Sequence, residues 1–114
     1  MIVDERCVSF INSLDPGNPD YLNEIELNAR KTNVPIIRTE MQSFLKLLLS
    51  IKKPLRILEV GTAIGFSALL MSEYAPKECT ITTIEKYEKR IPIAQGNFEK
   101  AGKLNQITLL TGDA

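Results

Sequence analysis

ILEVGTAIGFS, residues 57–67, is the stretch on which the fold turns. A short apolar run carries a carboxylate, Glu59, and passes at once into a turn bounded by Gly61 and Gly65. A run this short, flanked by turn residues, reads as a buried strand, and the glycine turn after it opens a helix. The acid is the anomaly. A phosphate-binding turn has no use for a negative charge immediately before it.

Outward from this turn the pattern repeats. LRILEV (55–60), CTITTI (79–84, closing on Glu85) and QITLL (106–110) read as strands. The helix opened by the glycine turn ends near Ala75 and Pro76, and another carries Tyr87, Ile91, Ala94 and Phe98 until Gly102 stops it. Pro92 has no backbone N–H, so that helix begins late, around Glu88, or kinks. Alternating strands and helices predict an α/β fold, because parallel strands need crossover connections. The expected architecture is a set of N-terminal helices followed by a βαβαβ run of parallel sheet, which the family resemblance described below extends to the first half of a Rossmann-like domain.

Before the first strand the periodicity is helical. Val3, Cys7, Phe10, Ile11 and Leu14 predict a helix over 2–14 that ends at DPGNP (15–19). A second helix runs from Pro19 or Asp20 to Lys31, with Tyr21, Ile25 and Ala29 on one face. Pro35 biases Val34 away from helix, so NVPII (33–37) is extended. A third helix starts at about Thr39, whose hydroxyl caps it, and places Met41, Phe44, Leu45, Leu48 and Leu49 in the core. The organisation is thus a helical segment over 1–52 and a sheet-forming segment over 53–114.

Composition narrows the function. The 114 residues are 44% hydrophobic and 25% charged, ordinary for one small globular domain. Lys+Arg and Asp+Glu both number 14, so no global field draws the chain to nucleic acid or membrane. Arg30, Lys31, Arg38, Lys46, Lys52, Lys53 and Arg56 read as a solvated face. MIVDERCVSF lacks the apolar core of a secretory peptide, and no run approaches the ~18 apolar residues of a membrane span. The expectation is a cytoplasmic protein without membrane association. Cys7 and Cys79 are far apart and signal neither zinc nor a disulfide; both read as buried small hydrophobes. Histidine is absent altogether, which removes Ser-His and Cys-His nucleophile pairs and HExxH zinc chemistry.

Ligands of parallel sheets bind beyond the carboxyl ends of the strands. Each of the three ends here carries an acid: Glu59 before Gly61, Glu85, and Asp113 after Gly112. Individually these could be strand terminators or caps, but matching topological positions point to a site. The spacing is GxxxG rather than GxGxxG, and Glu59 would repel a pyrophosphate, which disfavours a nicotinamide-dependent oxidoreductase. A cationic, phosphate-free cofactor fits better, and S-adenosyl-L-methionine is one. Gly61 lets backbone approach it, and Ser67 offers hydroxyl or amide to its methionyl carboxylate at a helix N-terminus. Glu85 stands about 20 residues beyond the turn, where an acid meets ribose hydroxyls. Asp113 is placed to accept from the adenine amino group.

ILEVGTAIGFSALLM, TTIEKYEKR and ITLLTGDA resemble the opening half of the class I methyltransferase domain. More narrowly, VPII and SFLKLLLSIKKPLRILEVGTAIGFSALLM resemble the catechol/caffeoyl-CoA-type O-methyltransferases, whose bacterial members include tRNA 5-hydroxyuridine methyltransferases. The resemblance covers essentially the whole chain and implies roles by position. Ile37 would lie against the cofactor, Glu59, Gly61 and Ser67 would hold its methionyl end, Glu85 the ribose, and Asp113 with Ala114 the adenine. In that family an aspartate after the fourth strand and an Asp-Asn pair after the fifth hold Mg2+ or another divalent metal. No residue of this chain corresponds to them, so no catalytic and no metal-binding residue is assigned here.

The resemblance therefore implies an S-adenosylmethionine-dependent, metal-dependent O-methyltransferase acting on a hydroxyl-bearing small molecule or a tRNA wobble uridine. This chain would supply the cofactor-binding half, truncated after the third strand and inactive alone. The alternative is a non-catalytic module that binds the cofactor or oligomerises. LRILEV would then be a sheet edge instead of its centre, an association hazard that agrees with a homo-oligomer such as a dimer.

Overall fold

In a computed structural model, residues 4–13 and 17–114 are described, with the side chains of Ile11 and Asn12 set aside. Helix α1 spans Glu5–Ser13, α2 Asp20–Lys31 and α3 Thr39–Lys52; then β1 (Arg56–Val60), α4 (Phe66–Tyr74), β2 (Thr80–Glu85), α5 (Ile91–Lys100) and β3 (Ile107–Thr111) alternate. Among the described residues the sheet has the order β1-β2-β3 and is wholly parallel. The parallel α/β sheet is what the alternation predicts, and the arrangement is consistent with the N-terminal half of a Rossmann-like class I methyltransferase fold, as the resemblance implies. Val3, Leu14, Asp15 and Pro16, on which part of the first helix and its turn were read, lie outside the described residues.

Register explains which face is buried. Ile57 pairs with Ile81 and Ile81 with Ile107, so these three side chains share one face of the sheet. Against that face pack Phe66, Leu69 and Leu70 of α4 and Ala94 and Phe98 of α5, with Leu22 and Leu49 extending the core to α2 and α3. Leu58, Val60 and Leu110 point to the opposite face and are exposed, at 68%, 66% and 48%. Parallel sheets ordinarily have both faces covered, so only one layer of helices is supplied by these residues.

Four local readings are corrected. Thr39 does not cap α3: Arg38 is the N-cap residue, no side chain caps the helix, and the Thr39 carbonyl instead accepts from Ser43 Oγ at 3.1 Å. The inward face of α3 is partly polar. Gln42, Ser43 and Lys46 are buried with Leu49, whereas Met41, Phe44 and Leu48 are exposed. The polar groups are tolerated because they are satisfied: Gln42 Nε2 donates to Glu26 Oε2 (2.7 Å) and to the Ile37 carbonyl (3.0 Å). Lys46 lies over the Tyr74 ring at 4.8 Å, so it leaves the solvated basic set. Cys79 is buried as expected, but Cys7 is exposed on α1.

Pro92 behaves as its chemistry requires. Helix α5 begins at Ile91, with the proline in its first turn, where no intrahelical donor is missed. Tyr87 consequently lies outside the helix, in the turn that its carbonyl closes with the Arg90 amide (3.0 Å). No helix among the described residues is long and apolar enough to cross a membrane.

Candidate cofactor site

The site is built where β1, β2 and β3 end. The glycine turn is held from three sides. The amides of Gly61 and Thr62 donate to the Ile84 carbonyl at 2.8 and 3.2 Å, Asn97 Nδ2 donates to the Ile64 carbonyl at 2.7 Å, and Glu85 Oε1 accepts from the Ala63 amide at 2.7 Å. Gly65 has no alternative residue here. Its φ is +91°, and a Cβ would stand 2.6 Å from Cε1 of Phe98. Gly61 has φ +92°, but no atom of the chain lies within 4 Å of where its Cβ would be, so backbone conformation is its requirement within the protein.

Two cavities meet over this turn. One, of about 250 Å³, is lined by Ile36, Ile37, Thr62, Phe66 and Ser67. The other, of about 360 Å³, is lined by Glu85, Tyr87, Arg90, Asp113 and Ala114. Pro35, Gly61 and Ala63 line both. The two volumes are therefore adjoining parts of one groove across the strand ends, where doubly wound folds bind ligands. Six of the seven residues read from the sequence lie along it: Ile37, Gly61, Ser67, Glu85, Asp113 and Ala114.

Glu59 is the seventh and lies behind the groove wall. Its Oε2 accepts the Ser67 hydroxyl and its Oε1 accepts the Thr83 hydroxyl at 2.7 Å. Thr83 Oγ1 in turn lies 2.6 Å from Thr62 Oγ1. Burial pushes the Glu59 carboxyl above the ordinary range; its two hydroxyl partners oppose that shift, and the nearby Glu85 charge adds to it.

Glu85 has the opposite balance. Burial alone would raise its carboxyl, but the amides of Tyr87, Ala63 and Lys86 and the Arg90 charge outweigh it and hold the group below the ordinary range. The Lys86 and Tyr87 amides both donate to Oε2 at 3.0 Å. An ionised carboxylate has about four acceptor positions, so three backbone donors leave about one for a ligand. Arg90 also lies 5.2 Å from the Tyr87 ring centroid, which puts an aromatic and a cation on the same wall. Among the described residues no three acidic or thiol side chains cluster as a metal site.

Sequence reading passed over Thr62, Thr83, Tyr87 and Asn97. Thr83 was within reach of it: Glu59 and Thr83 are register partners, and period-2 alternation puts both on the helix-covered face. Asn97 has no such signal, because its partner is a carbonyl 33 residues away.

A family model for O-methyltransferases matches residues 12–114. The chain belongs to the O-methyltransferase family. Among curated relatives, catechol O-methyltransferase of Niastella koreensis is 37% identical over 71 residues, which are 62% of this chain and 32% of that protein. A Podospora anserina methyltransferase, solved with S-adenosylhomocysteine bound, superposes with TM-score 0.84 at 27% identity, over 100% of this chain and 53% of that one. A Bacillus cereus O-methyltransferase, also in complex with S-adenosylhomocysteine, gives 0.76 at 25% identity over 91% and 48%. This O-methyltransferase chain thus spans about half or less of the length of these relatives.

Proposed function

We propose that the groove binds S-adenosyl-L-methionine and that residues 53–114 form the cofactor-binding half of an O-methyltransferase, with residues 1–52 as a helical segment. The observation that carries this reading is the continuity of the two cavities over Gly61 and Ala63, with Ser67 at one end and Glu85 at the other. A cofactor with an amino-acid end, a ribose and an adenine has the same order of chemistry. Ser67 and the first turn of α4 would take the methionyl end, and Ile37 would lie against it. The remaining acceptor position of Glu85 would take a ribose hydroxyl, and Asp113 with Ala114 the adenine. Tyr87 supplies an aromatic face on that same side.

The bound cofactor supplies an electrophilic methyl group. In the catechol/caffeoyl-CoA-type reading, a divalent metal such as Mg2+ would lower the pKa of the acceptor hydroxyl, which belongs to a small molecule or a tRNA wobble uridine. The donor set for that metal is not among the acids described here, so methyl transfer by these 114 residues alone is expected to stay at background with Mg2+ added. The Podospora and Bacillus relatives' bound S-adenosylhomocysteine supports the cofactor assignment.

Isothermal titration with S-adenosylmethionine and S-adenosylhomocysteine tests this reading. Saturable binding that Glu85→Ala weakens is the expected result; no binding by the wild-type chain, or tight binding of NADH instead, would overturn it. The second reading, a module that associates with itself, draws on the exposed Leu58, Val60 and Leu110 on one sheet face.

A further inference from the structure

A separate cavity, of about 160 Å³, lies between α2 and α5. Its lining follows helical spacing on both sides: Tyr21, Glu24, Ile25 and Asn28 on α2, and Asn97, Lys100 and Ala101 on α5. None of these residues lines the cofactor groove.

Two kinds of surface meet in this cleft. Tyr21, Ile25 and Ala101 pack against the hydrophobic core and give it an apolar floor. Beside that floor stand one acid and one base, Glu24 and Lys100, with the amides of Asn28 and Asn97. Among the described residues, the Glu24, Asn28 and Lys100 side chains take no hydrogen bond or ion pair. Comparable groups on the same helices are committed: Glu26 to Gln42 and Arg30, and Asn97 Nδ2 to the Ile64 carbonyl at 2.7 Å.

Charge and size then decide what fits. A simple ion of either sign would gain one partner and meet one like charge, whereas a zwitterion satisfies both Glu24 and Lys100. A volume near 160 Å³ equals about five waters at ~30 Å³ each, well below the ~300 Å³ at which sites for drug-sized ligands begin. A nucleotide is too large. The apolar floor calls for a short hydrocarbon part.

We propose that this cleft is a second ligand site, for a free aliphatic α-amino acid. Its ammonium group lies at Glu24, its carboxylate at Lys100 and the Asn28 amide, and its side chain on Ile25 and Ala101. Asn97 joins the cleft to the glycine turn, because the residue that lines the one holds the Ile64 carbonyl of the other. Occupancy is therefore felt at Ile64 and Gly65. The proposal does not rest on the cofactor reading.

The test follows amide chemical shifts of the nitrogen-15-labelled chain during titration with L-valine. Saturable shifts are expected at Glu24, Asn28 and Lys100, and at the Gly65 amide. Isovalerate and isobutylamine are valine without its ammonium and without its carboxylate. Each should bind more weakly by roughly tenfold or more, the scale of one hydrogen bond to a charged group. Glu24→Gln should bring the valine-to-isovalerate affinity ratio towards one, and Lys100→Met should do the same for valine and isobutylamine. Both positions are exposed on helices, so the variants keep the fold, which the rest of the spectrum verifies. No saturable shift at the cleft, equal binding of the three probes, ratios unmoved in the variants, or an unshifted Gly65 amide would each overturn the proposal. So would valine shifts centred on Ser67 and Glu85, which would put the amino acid in the cofactor groove instead.

Discussion

Glu85 Oε1 accepts the Ala63 amide at 2.7 Å, so the acid that ends β2 holds the turn that follows β1. Ala63 has φ +51°, a left-handed conformation that costs an alanine about 1 kcal/mol or more, and this bond helps keep it there. Glu85→Ala would leave the Ala63, Lys86 and Tyr87 amides without their acceptor. The expected cost is about 2–4 kcal/mol, given about 1–3 kcal/mol for each buried group left unmade and partial rescue by water. Urea denaturation of the variant against wild type measures it, alongside the loss of cofactor binding.

The two acids of the site should titrate stability in opposite directions. Glu85 has a folded-state pKa below its ordinary 4.5, so its contribution is present above about 4.5 and is lost as pH falls through the lower folded value. Glu59 is raised above 4.5, so its contribution is present below 4.5 and is lost as pH rises through the folded value. Relative to wild type, Glu59→Gln should therefore gain stability as pH climbs from 4.5 through that value, while Glu85→Gln should lose it from below 4.5 upward. Denaturation curves at a series of pH values give both slopes, and equal slopes would contradict the assignment.

Gly65→Ala should be among the most damaging single changes. It combines a positive φ with a Cβ 2.6 Å from the Phe98 ring, and about 2–4 kcal/mol is expected from strain and overpacking together. Adding Phe98→Leu should recover the overpacking part and not the backbone part. The double-mutant cycle, read by thermal denaturation, separates them.

Leu58→Lys with Val60→Lys should reduce concentration-dependent self-association, because both residues are two-thirds exposed on an uncovered sheet face. Sedimentation velocity over a range of concentrations checks this. The same shift produced by Lys substitutions at Met41 and Phe44, and not at Leu58 and Val60, would move the contact to α3.

Thiol labelling under native conditions should modify Cys7 rapidly and Cys79 only after unfolding. Cys7 is exposed, whereas Cys79 is buried and its thiol is pushed up by that burial.

The sheet was legible in the sequence because short β-branched runs bounded by Gly, Pro and acids have few other ways to fold. Thr80–Glu85 and Ile107–Thr111 fall within a residue of where their patterns place them. Gly61, Glu85, Asp113 and Ala114 of the groove were legible for a related reason, since they lie at or just after strand ends, whereas Ile37 was named only from the family resemblance. Helix α3 was partly misread because Met41, Phe44 and Leu48 continue the apolar pattern of Leu45 and Leu49, yet the buried face is the one whose polar groups find partners. Periodicity reports an apolar stripe and says nothing of which neighbour satisfies an amide. The contacts of Glu59 were not legible for the same cause, since its partners Ser67 and Thr83 come from two other elements.

Glu73 shows how this arrangement would assemble in time. Its carboxylate accepts the Tyr21 hydroxyl from α2 and pairs with Lys103 Nζ at 3.6 Å, in the loop before β3. The Tyr21 link spans 52 residues of sequence, whereas each strand of the sheet pairs with the next one along the chain. Loop-closure entropy delays contacts of such separation. The sheet and α4 should therefore form first and the N-terminal helices should dock onto them late, making Tyr21→Phe a mutation that speeds unfolding while leaving the refolding rate nearly unchanged.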